Sequence, residues 1–144
     1  MTLYTIGFTK TTAEHFFERL KNAGVSRVVD VRLNNVSQLA GFAKKPDLEY
    51  FLQAIGGIGY AHRAELAPTQ EMLDEYRKKR GGWPEYEARF LDLMASREVE
   101  RSVPRELLEQ ACLLCSEDVP RHCHRRLVSE YLNGKWGDLR VTHL

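Results

Sequence analysis

The densest group of chemically reactive side chains in this 144-residue sequence lies between residues 111 and 132. It combines two thiols, a carboxylate, an imidazole and a guanidinium, at Cys115, Glu117, Cys123, His124 and Arg125. The apolar run 111–115 predicts a buried strand, and residues 122–133 predict a helix that follows a polar loop. Because α/β proteins often bind ligands at such strand-to-helix junctions, we predict a functional site here.

Cys123 stands at the start of the predicted helix, where free backbone N–H groups and the helix dipole stabilise an anion. Arg125 and Arg126 add positive charge beside it. Both effects predict a lowered pKa for the Cys123 thiol and therefore a thiolate, which is the nucleophilic form of cysteine. His124 could then act as a general base or proton shuttle near neutral pH.

The remaining groups of this stretch allow simpler interpretations. Cys112 lies between apolar neighbours and is expected to pack in the core as a small hydrophobic residue. For Cys115, packing and function explain its position equally well. Glu117 could act as an acid or base, could accept a hydrogen bond from a ligand, or could pair with an arginine.

A metal site is the main alternative, because Cys115, Cys123 and His124, with Glu117 or His143, offer zinc-type ligands. Their spacing is not that of a CxxC pair, and the adjacent Cys123 and His124 are expected to point in different directions on a helix. A Cys115–Cys123 disulfide that acts as a redox pair is a further alternative, which we rank below the metal site.

Cys115 and Arg121 also match the C-x5-R spacing of thiol-based phosphatases. The loop between them carries Glu117 and Asp118 and no glycine, so it would repel a phosphate and lacks the freedom to wrap around one. We regard this match as accidental. The helix start at 122–126 remains a suitable place for a phosphate or a carboxylate.

Further candidate groups follow the first two predicted strands. A buried ion pair would explain Asp30 and Arg32, but Arg32 at a strand's carboxyl end could also clamp an anion, and we favour that role. Gly7 and Thr9 follow the first strand and would face the same ligand. The sequence 7–10 lacks the glycine spacing of a nucleotide-binding loop, so its likeness to one is loose.

The elements that would position these groups alternate between strand and helix. Apolar and β-branched runs predict strands over 2–6, 27–31, 58–62, 111–115 and 139–143. Helical periodicity and end signals predict helices over 11–23, 47–55, 68–80, 84–94, 102–110 and 122–133. This pattern predicts an α/β fold, a Rossmann-like three-layer sandwich whose mostly parallel five-stranded sheet has the order 3-2-1-4-5 and helices on both faces.

With this order the chain adds strands on one side of strand 1 and then on the other side from strand 4, so the strand order reverses between strands 1 and 4. The ligand crevice is expected beyond the carboxyl ends of these two strands. Residues 7–10, 30–32 and 115–126 would line it. The connection 32–46 is longer than is usual between a strand and a helix, which favours a functional role for it. The basic run 77–80 ends a helix and is expected to be solvated rather than to bind nucleic acid.

Composition excludes several classes of protein. The chain has 21 basic and 20 acidic residues and a net charge of +1, so net charge gives no support for nucleic-acid binding. We see no export signal and no apolar run of membrane-spanning length, and three cysteines are an odd number. We therefore expect a reduced cytoplasmic protein with one domain over residues 1–144, no membrane contact, and a small-molecule or nucleotide ligand.

Three motifs together resemble a known family. They are T-I-G-F-T at 5–9, D-V-R at 30–32, and C-x-E followed by C-H-R at 115–125, with a final short strand that ends in histidine. This chain is similar to the domain of unknown function 488 family over nearly its whole length. The resemblance implies the fold and the position of a site, whose signature residues would be Gly7, Asp30, Arg32, Cys115, Glu117, Cys123, His124, Arg125 and His143.

The resemblance implies no reaction, because the family has none established. Family members often carry proline and arginine soon after the D-V-R motif, and this chain does not, so a role of that loop need not transfer. We expect either an enzyme with a thiol–carboxylate site for a phosphate-bearing ligand, related to a nucleotide or nucleic acid, or a metal-binding module without catalytic activity. A third interpretation gives the cysteine cluster a purely structural role. The cofactor and the oligomeric state are not predicted.

Overall fold

A computed structural model describes residues 1–35, 41–78, 82–117 and 120–144 of the chain. The strands are β1 (Thr2–Gly7), β2 (Arg27–Asp30), β3 (Gly59–His62), β4 (Ala111–Cys115) and β5 (Arg140–His143). The α-helices are α1 (Ala13–Ala23), α2 (Lys45–Gly56), α3 (Gln70–Arg77), α4 (Trp83–Arg97), α5 (Val99–Ser102), α6 (Arg105–Leu108) and α7 (His124–Trp136). Short 3-10 turns occupy Gly41–Ala43 and Ala64–Leu66.

The five predicted strands are confirmed, and the helices differ from prediction mainly at their ends. Of the predicted helix 102–110, the structure contains only α6, and the short helix α5 before it ends at Ser102. The two are separate because Val103 is extended before Pro104, which lacks the N–H that would continue a single helix. The predicted helix 11–23 begins two residues later, at Ala13, and is capped by Thr12, whose hydroxyl accepts a hydrogen bond from the His15 N–H at 3.1 Å. Parts of the predicted loop 32–46 and basic run 77–80 lie outside the described residues.

All strand pairs are parallel, and the sheet has the order β3-β2-β4-β1-β5. The predicted three-layer α/β fold is confirmed, and the order differs from prediction by the exchange of β1 and β4. Every residue of β4 is buried, whereas β1 contains partly exposed positions. The more apolar strand therefore occupies the centre of the sheet, where both its faces and both its edges are covered.

Alternate side chains of the strands face two separate hydrophobic cores. On one face, Val29 and Leu113 pack with side chains of α4 and α7, including Phe90 and Leu127. On the other face, the core is formed with α1 and α2 by Ile6, Phe16, Leu20, Val28, Leu52 and Leu114. This arrangement gives the chain its three layers and leaves the carboxyl ends of the strands at one edge.

The exchange of strands moves the expected crevice. The chain leaves β2 toward β3 by way of α2, and it leaves β4 toward β5 by way of α7 on the opposite face. Neighbouring strands from which the chain departs in opposite directions leave an open crevice beyond their ends. The ends of β2 and β4, rather than those of β1 and β4, therefore flank this crevice.

Within the described ranges, no helix combines the length and the apolar character needed to cross a bilayer.

Candidate functional site

Three side chains converge where β4 ends and α7 begins. The sulfur atoms of Cys115 and Cys123 and a ring nitrogen of His124 all lie within 4.8 Å of one another, and all three residues are buried. Cys115 is the last residue of β4, Cys123 is the N-cap of α7, and His124 is its first residue. The strand-to-helix junction thus assembles the three groups that the sequence placed there.

The expectation that Cys123 and His124 point in different directions is wrong. It assumed that both residues are helical, but Cys123 has the extended backbone angles φ −134° and ψ 138°. An N-cap residue does not have helical backbone angles, so its side chain points in a different direction from that of a helical residue at the same position. This change of conformation between two adjacent residues allows both side chains to reach Cys115.

The hydrogen bonds of His124 assign its proton. Nε2 lies 2.7 Å from the carbonyl oxygen of Val31, which can only accept, so Nε2 carries the hydrogen. In the neutral ring Nδ1 then has the free lone pair. The Cys115 sulfur lies 3.4 Å from Nδ1 and 3.6 Å from Nε2, so it packs over the face of the ring. The ring is held by the end of β2, and its one free proton acceptor, Nδ1, lies next to the last residue of β4.

The two thiols of this cluster have opposite tendencies to ionise. Burial opposes ionisation of Cys115, but hydrogen bonds from the Cys123 thiol and the Ser116 N–H, with the positive charge of Arg125, outweigh it and lower the pKa of Cys115. The hydrogen bond with Cys115, burial and repulsion by Cys115 raise the pKa of Cys123 well above its ordinary value. These directions favour Cys115, rather than the predicted Cys123, as the thiolate of the pair, with the Cys123 thiol as its hydrogen-bond donor.

Cys112 lies on the opposite face of the sheet, in the core formed with α1 and α2, as predicted. Burial raises the pKa of its thiol, which keeps it protonated. It provides an internal reference for the reactivity of the other two cysteines.

Arg125 is fully buried next to the cluster of Cys115, Cys123 and His124. Its Nη1 donates to the backbone carbonyl of Glu117 and lies 3.7 Å from the Cys123 sulfur, while Nε donates to the Thr5 hydroxyl at 3.3 Å. In the described part of the chain, no carboxylate pairs with it and Nη2 has no hydrogen-bond partner. A buried cation without a carboxylate partner stabilises negative charge nearby, which favours a thiolate in this cluster.

Gly7 allows Arg125 and the β4 loop to approach β1. A Cβ atom at Gly7 would overlap the Glu117 carbonyl and would lie 2.8 Å from Arg125 Nη1. Gly7 therefore provides space for the arginine and the loop, and no side chain larger than hydrogen fits without a shift. In the structure Gly7 contacts the protein's own loop, and its contact with a ligand stays a prediction.

Asp30 and Arg32 form a buried bidentate ion pair at the end of β2. Asp30 Oδ1 accepts from Arg32 Nε at 2.8 Å, and Oδ2 accepts from Arg32 Nη2 at 2.8 Å and from the Tyr60 hydroxyl at 2.6 Å. The Arg32 guanidinium also stacks over the Phe8 ring, 5.2 Å from its centre. Its Nη1 is buried with no hydrogen-bond partner among the described residues, so one donor of this fixed guanidinium remains unused.

A pocket of about 320 Å³ opens beside the cluster, at the crevice between β2 and β4. Its walls combine aromatic, basic and thiol side chains with one carboxylate and several loop residues. The lining residues are Arg32, Leu33, Asn34, Pro68, Leu73, Tyr76, Arg77, Trp83, Tyr86, Cys115, Ser116, Glu117, His122, Cys123 and His124. A pocket of this volume can hold a small organic ligand.

The remaining predicted site residues differ in their relation to this pocket. Glu117 is exposed and lines its wall. The hydroxyl of Thr9 donates to the Ser116 carbonyl at 2.9 Å, so Thr9 joins the loops after β1 and β4 and does not line the pocket. His143, proposed as a fourth metal ligand, instead bonds through Nδ1 to the Thr5 hydroxyl at 2.6 Å and lies outside the cluster.

Sequence reasoning missed the aromatic wall of the pocket. Trp83 stacks on His122 with ring centres 4.8 Å apart, and it also stacks on Tyr86 at 5.2 Å. In the sequence, Tyr76 and Tyr86 follow the helical spacing of apolar residues, which is typical of core positions, and Trp83 lies beside a turn, which is typical of a surface aromatic that covers the core. No local signal shows that these two helices pack beside the end of β4, so their residues could not be assigned to the site.

The chain was compared with protein families, curated proteins and solved structures. A family model described as "Domain of unknown function DUF488" matches residues 12–132, which include the D-V-R and C-x-E…C-H-R motifs. Neither the curated proteins nor the solved structures give a match. Since the matched segment covers most of the chain and contains the whole thiol–imidazole cluster, the protein belongs to the DUF488 family.

Proposed function

We propose that this protein is a cysteine-dependent enzyme that acts on a small phosphate-bearing ligand, such as a nucleotide, bound in the pocket between β2 and β4. The observation that carries the proposal is the contact of Cys115 with His124. The thiol sulfur lies 3.4 Å from Nδ1 and 3.6 Å from Nε2, and Nε2 is occupied by the Val31 carbonyl, so Nδ1 is the nitrogen that takes the proton when the thiol turns toward it. A thiol beside an oriented proton acceptor is the arrangement of an activated nucleophile.

The three groups of the cluster have separate roles in this proposal. Cys115 attacks the ligand as a thiolate, and His124 removes its proton and later returns it to a leaving group. The Cys123 thiol donates a hydrogen bond to the Cys115 sulfur and so stabilises its negative charge. Arg125 acts from beneath as a positioning residue, since it holds the Glu117 carbonyl and adds positive charge.

The pocket walls support an anionic ligand with a flat apolar part. Among the described lining residues, Arg32, Arg77 and His122 are basic and Glu117 is acidic, and Asp30 already balances the charge of Arg32. Arg77, His122 and the unused Nη1 of Arg32 are the donors available to an anion. On the other wall, the rings of Trp83 and Tyr76 offer an aromatic surface against which a base can pack. Glu117 at the wall is placed to exchange a proton with a bound ligand.

Ligand protection of Cys115 tests this proposal. The alkylation rate of each cysteine is measured by mass spectrometry at pH 7 with millimolar nucleoside monophosphates, the corresponding nucleosides, or inorganic phosphate. We expect a nucleoside monophosphate to slow the alkylation of Cys115 more than its nucleoside or phosphate does. Arg77→Ala should weaken this protection, whereas Arg140→Ala on β5 should not. Equal alkylation rates with and without every nucleotide would contradict the proposal.

A metal site is a second candidate, favoured by the mutual distances within 4.8 Å of three zinc-type ligands. Three protein ligands beside a pocket resemble catalytic zinc sites, which leave a fourth position open. A hydrogen bond from His124 Nε2 to the Val31 carbonyl is also the usual support of a metal-binding imidazole. A metal on Cys115 would take up one lone pair of the thiolate and lower its nucleophilicity, so the two candidates give Cys115 different roles.

Metal analysis separates the two candidates. Protein purified without chelator should contain near-stoichiometric zinc or iron if the second candidate is correct. Cys123→Ser should then lose the metal, while Cys112→Ser, on the other face of the sheet, should retain it. Absence of near-stoichiometric metal from the wild-type protein rules out the metal site and leaves the cysteine-dependent enzyme as the remaining candidate.

A further inference from the structure

We propose that Cys115 and Cys123 form a redox couple, in which a hydroperoxide converts the two thiols into an intramolecular disulfide that a thiol reductant reopens. This inference rests on the same Cys115 thiolate as the proposed function, but it requires neither a phosphate-bearing ligand nor turnover. It assigns to the site a further activity, the two-electron reduction of a small hydroperoxide.

The first support is the distance between the two sulfur atoms. They lie within 4.8 Å of each other, and both also lie within that distance of a ring nitrogen of His124. A disulfide bond is about 2.05 Å long, and side-chain torsions must bring the sulfurs to that distance. Cys123 is an N-cap residue with extended backbone, and it makes no side-chain capping bond that would have to break.

The second support is access for an oxidant. Both Cys115 and Cys123 line the pocket of about 320 Å³, which is far larger than a small hydroperoxide. The third cysteine of the chain, Cys112, is fully buried on the opposite face of the sheet. The fold therefore pairs two of the three thiols and separates the third from both the pair and the pocket.

The reaction balances in two steps. The Cys115 thiolate, whose proton His124 holds, attacks the terminal oxygen of the hydroperoxide. An S–O bond forms, the O–O bond breaks, and the alkoxide takes the proton from His124 and leaves as an alcohol. Cys115 is then a sulfenic acid, and the peroxide has been reduced. Cys123 next loses its proton to His124 and attacks the Cys115 sulfur; an S–S bond forms, the S–O bond breaks, and hydroxide leaves with that proton as water. Two thiols of an added reductant restore the pair.

Thiol counting after oxidation tests this inference with the full-length protein. Stoichiometric hydrogen peroxide is added, free thiols are alkylated under denaturing conditions, and intact mass is measured. We expect one alkylated cysteine, Cys112, in place of three, and a mass before alkylation that is lower by two hydrogen atoms. Dithiothreitol should restore three alkylated cysteines.

Three variants test the role of each cysteine sulfur in the reaction. Cys123→Ser should stop at a sulfenic acid on Cys115 that a dimedone probe captures. Cys115→Ser should not react with peroxide at a comparable rate. Cys112→Ser is the matched control and should form the disulfide like the wild type, with no thiol left to alkylate. Capture of a sulfenic acid on Cys123, or the same disulfide yield without Cys115, would overturn the assignment.

Other outcomes would overturn the inference as a whole. They are three free thiols after oxidation, direct oxidation of Cys115 to a sulfinic acid in the wild type, or a disulfide that joins two chains. Failure here is distinct from failure of the proposed function. Nucleotide protection of Cys115 without a disulfide would leave only the proposed function standing, and a disulfide without nucleotide protection would leave only this inference.

Discussion

At the scale of single residues, the properties of the site depend on which atoms are already engaged by the protein. The Val31 carbonyl occupies Nε2 of His124, which leaves Nδ1 for the Cys115 thiol. The Asp30 carboxylate takes two donors of Arg32 and leaves Nη1 unused among the described contacts. Hydrogen bonds to the protein thus determine which atoms of the site can react or bind.

Asp30→Asn tests whether Asp30 holds Arg32 in place. The change removes the charge that compensates a buried guanidinium, and loss of one partner of a buried ion pair typically costs about 3–5 kcal/mol. We expect a loss of this size in the free energy of unfolding, measured by urea denaturation. Tyr60→Phe is the matched control, because it removes one hydrogen bond to the same carboxylate and should cost about 1 kcal/mol. Equal losses in both variants would show that the Asp30 charge is not needed.

At the scale of elements, the junction of β4 with α7 assembles the cluster, and β1 supports it from behind. Gly7 at the end of β1 makes room for Arg125 and the Glu117 carbonyl. The Thr9 N–H and hydroxyl both donate to the Ser116 carbonyl, at 3.1 and 2.9 Å. The loop after β4 is therefore fixed by the loop after β1, and a change in β1 should reach the thiols through it.

Gly7→Ala tests this support. The added methyl group overlaps the Glu117 carbonyl, and forced overpacking of this kind costs about 1–3 kcal/mol. We expect that loss in unfolding free energy together with a change in the alkylation rate of Cys115. In Gly134→Ala the added Cβ meets no atom within 4 Å, and alanine within α7 should stabilise by about 0.5–1 kcal/mol. A Gly7→Ala protein as stable as the wild type would show that the loop does not need this space.

Local pattern and topology account for different parts of the fold and the site. Apolar runs predicted the strands, and helical periodicity with helix-end signals predicted most of the helices. The junction at Cys115 and Cys123 followed from these elements. The exchange of β1 and β4 could have been anticipated, because β4 is the more apolar strand. The preference of Cys115 over Cys123 for the thiolate could not, since it depends on hydrogen bonds between atoms distant in sequence. The same holds for Trp83, which tertiary packing alone brings to the pocket.

At the scale of the whole molecule, the pocket lies between parts of the chain that are far apart in sequence. The ends of β2 and β4 supply Arg32 and Cys115, and α3 and α4 supply the aromatic wall with Tyr76 and Trp83. The stacking of Trp83 on His122 joins this wall to the segment before α7. Ligand binding should therefore depend on residues that play no part in the chemistry of the thiols.

Trp83→Ala tests the role of this wall in binding. Loss of an aromatic stacking surface costs about 1–3 kcal/mol per base, on the order of a tenfold change in affinity. We expect the nucleotide concentration needed to protect Cys115 from alkylation to rise by about that factor. Trp136→Ala is the control, because Trp136 packs against Arg105 away from the pocket and should leave protection unchanged. Equal effects of the two variants would indicate a general loss of stability and not a binding surface.

The most direct test of the central claim, that Cys115 is the site's thiolate, is the alkylation rate of each cysteine as a function of pH. Hydrogen bonding and the positive charge of Arg125 lower the pKa of Cys115 despite its burial, so its thiolate persists at a lower pH than that of an ordinary thiol. We predict that Cys115 reacts first, with a midpoint below that of free cysteine that Cys123→Ala moves upward by removing the S–H donor. A midpoint for Cys115 at or above that of free cysteine, or faster alkylation of Cys123, would contradict the claim.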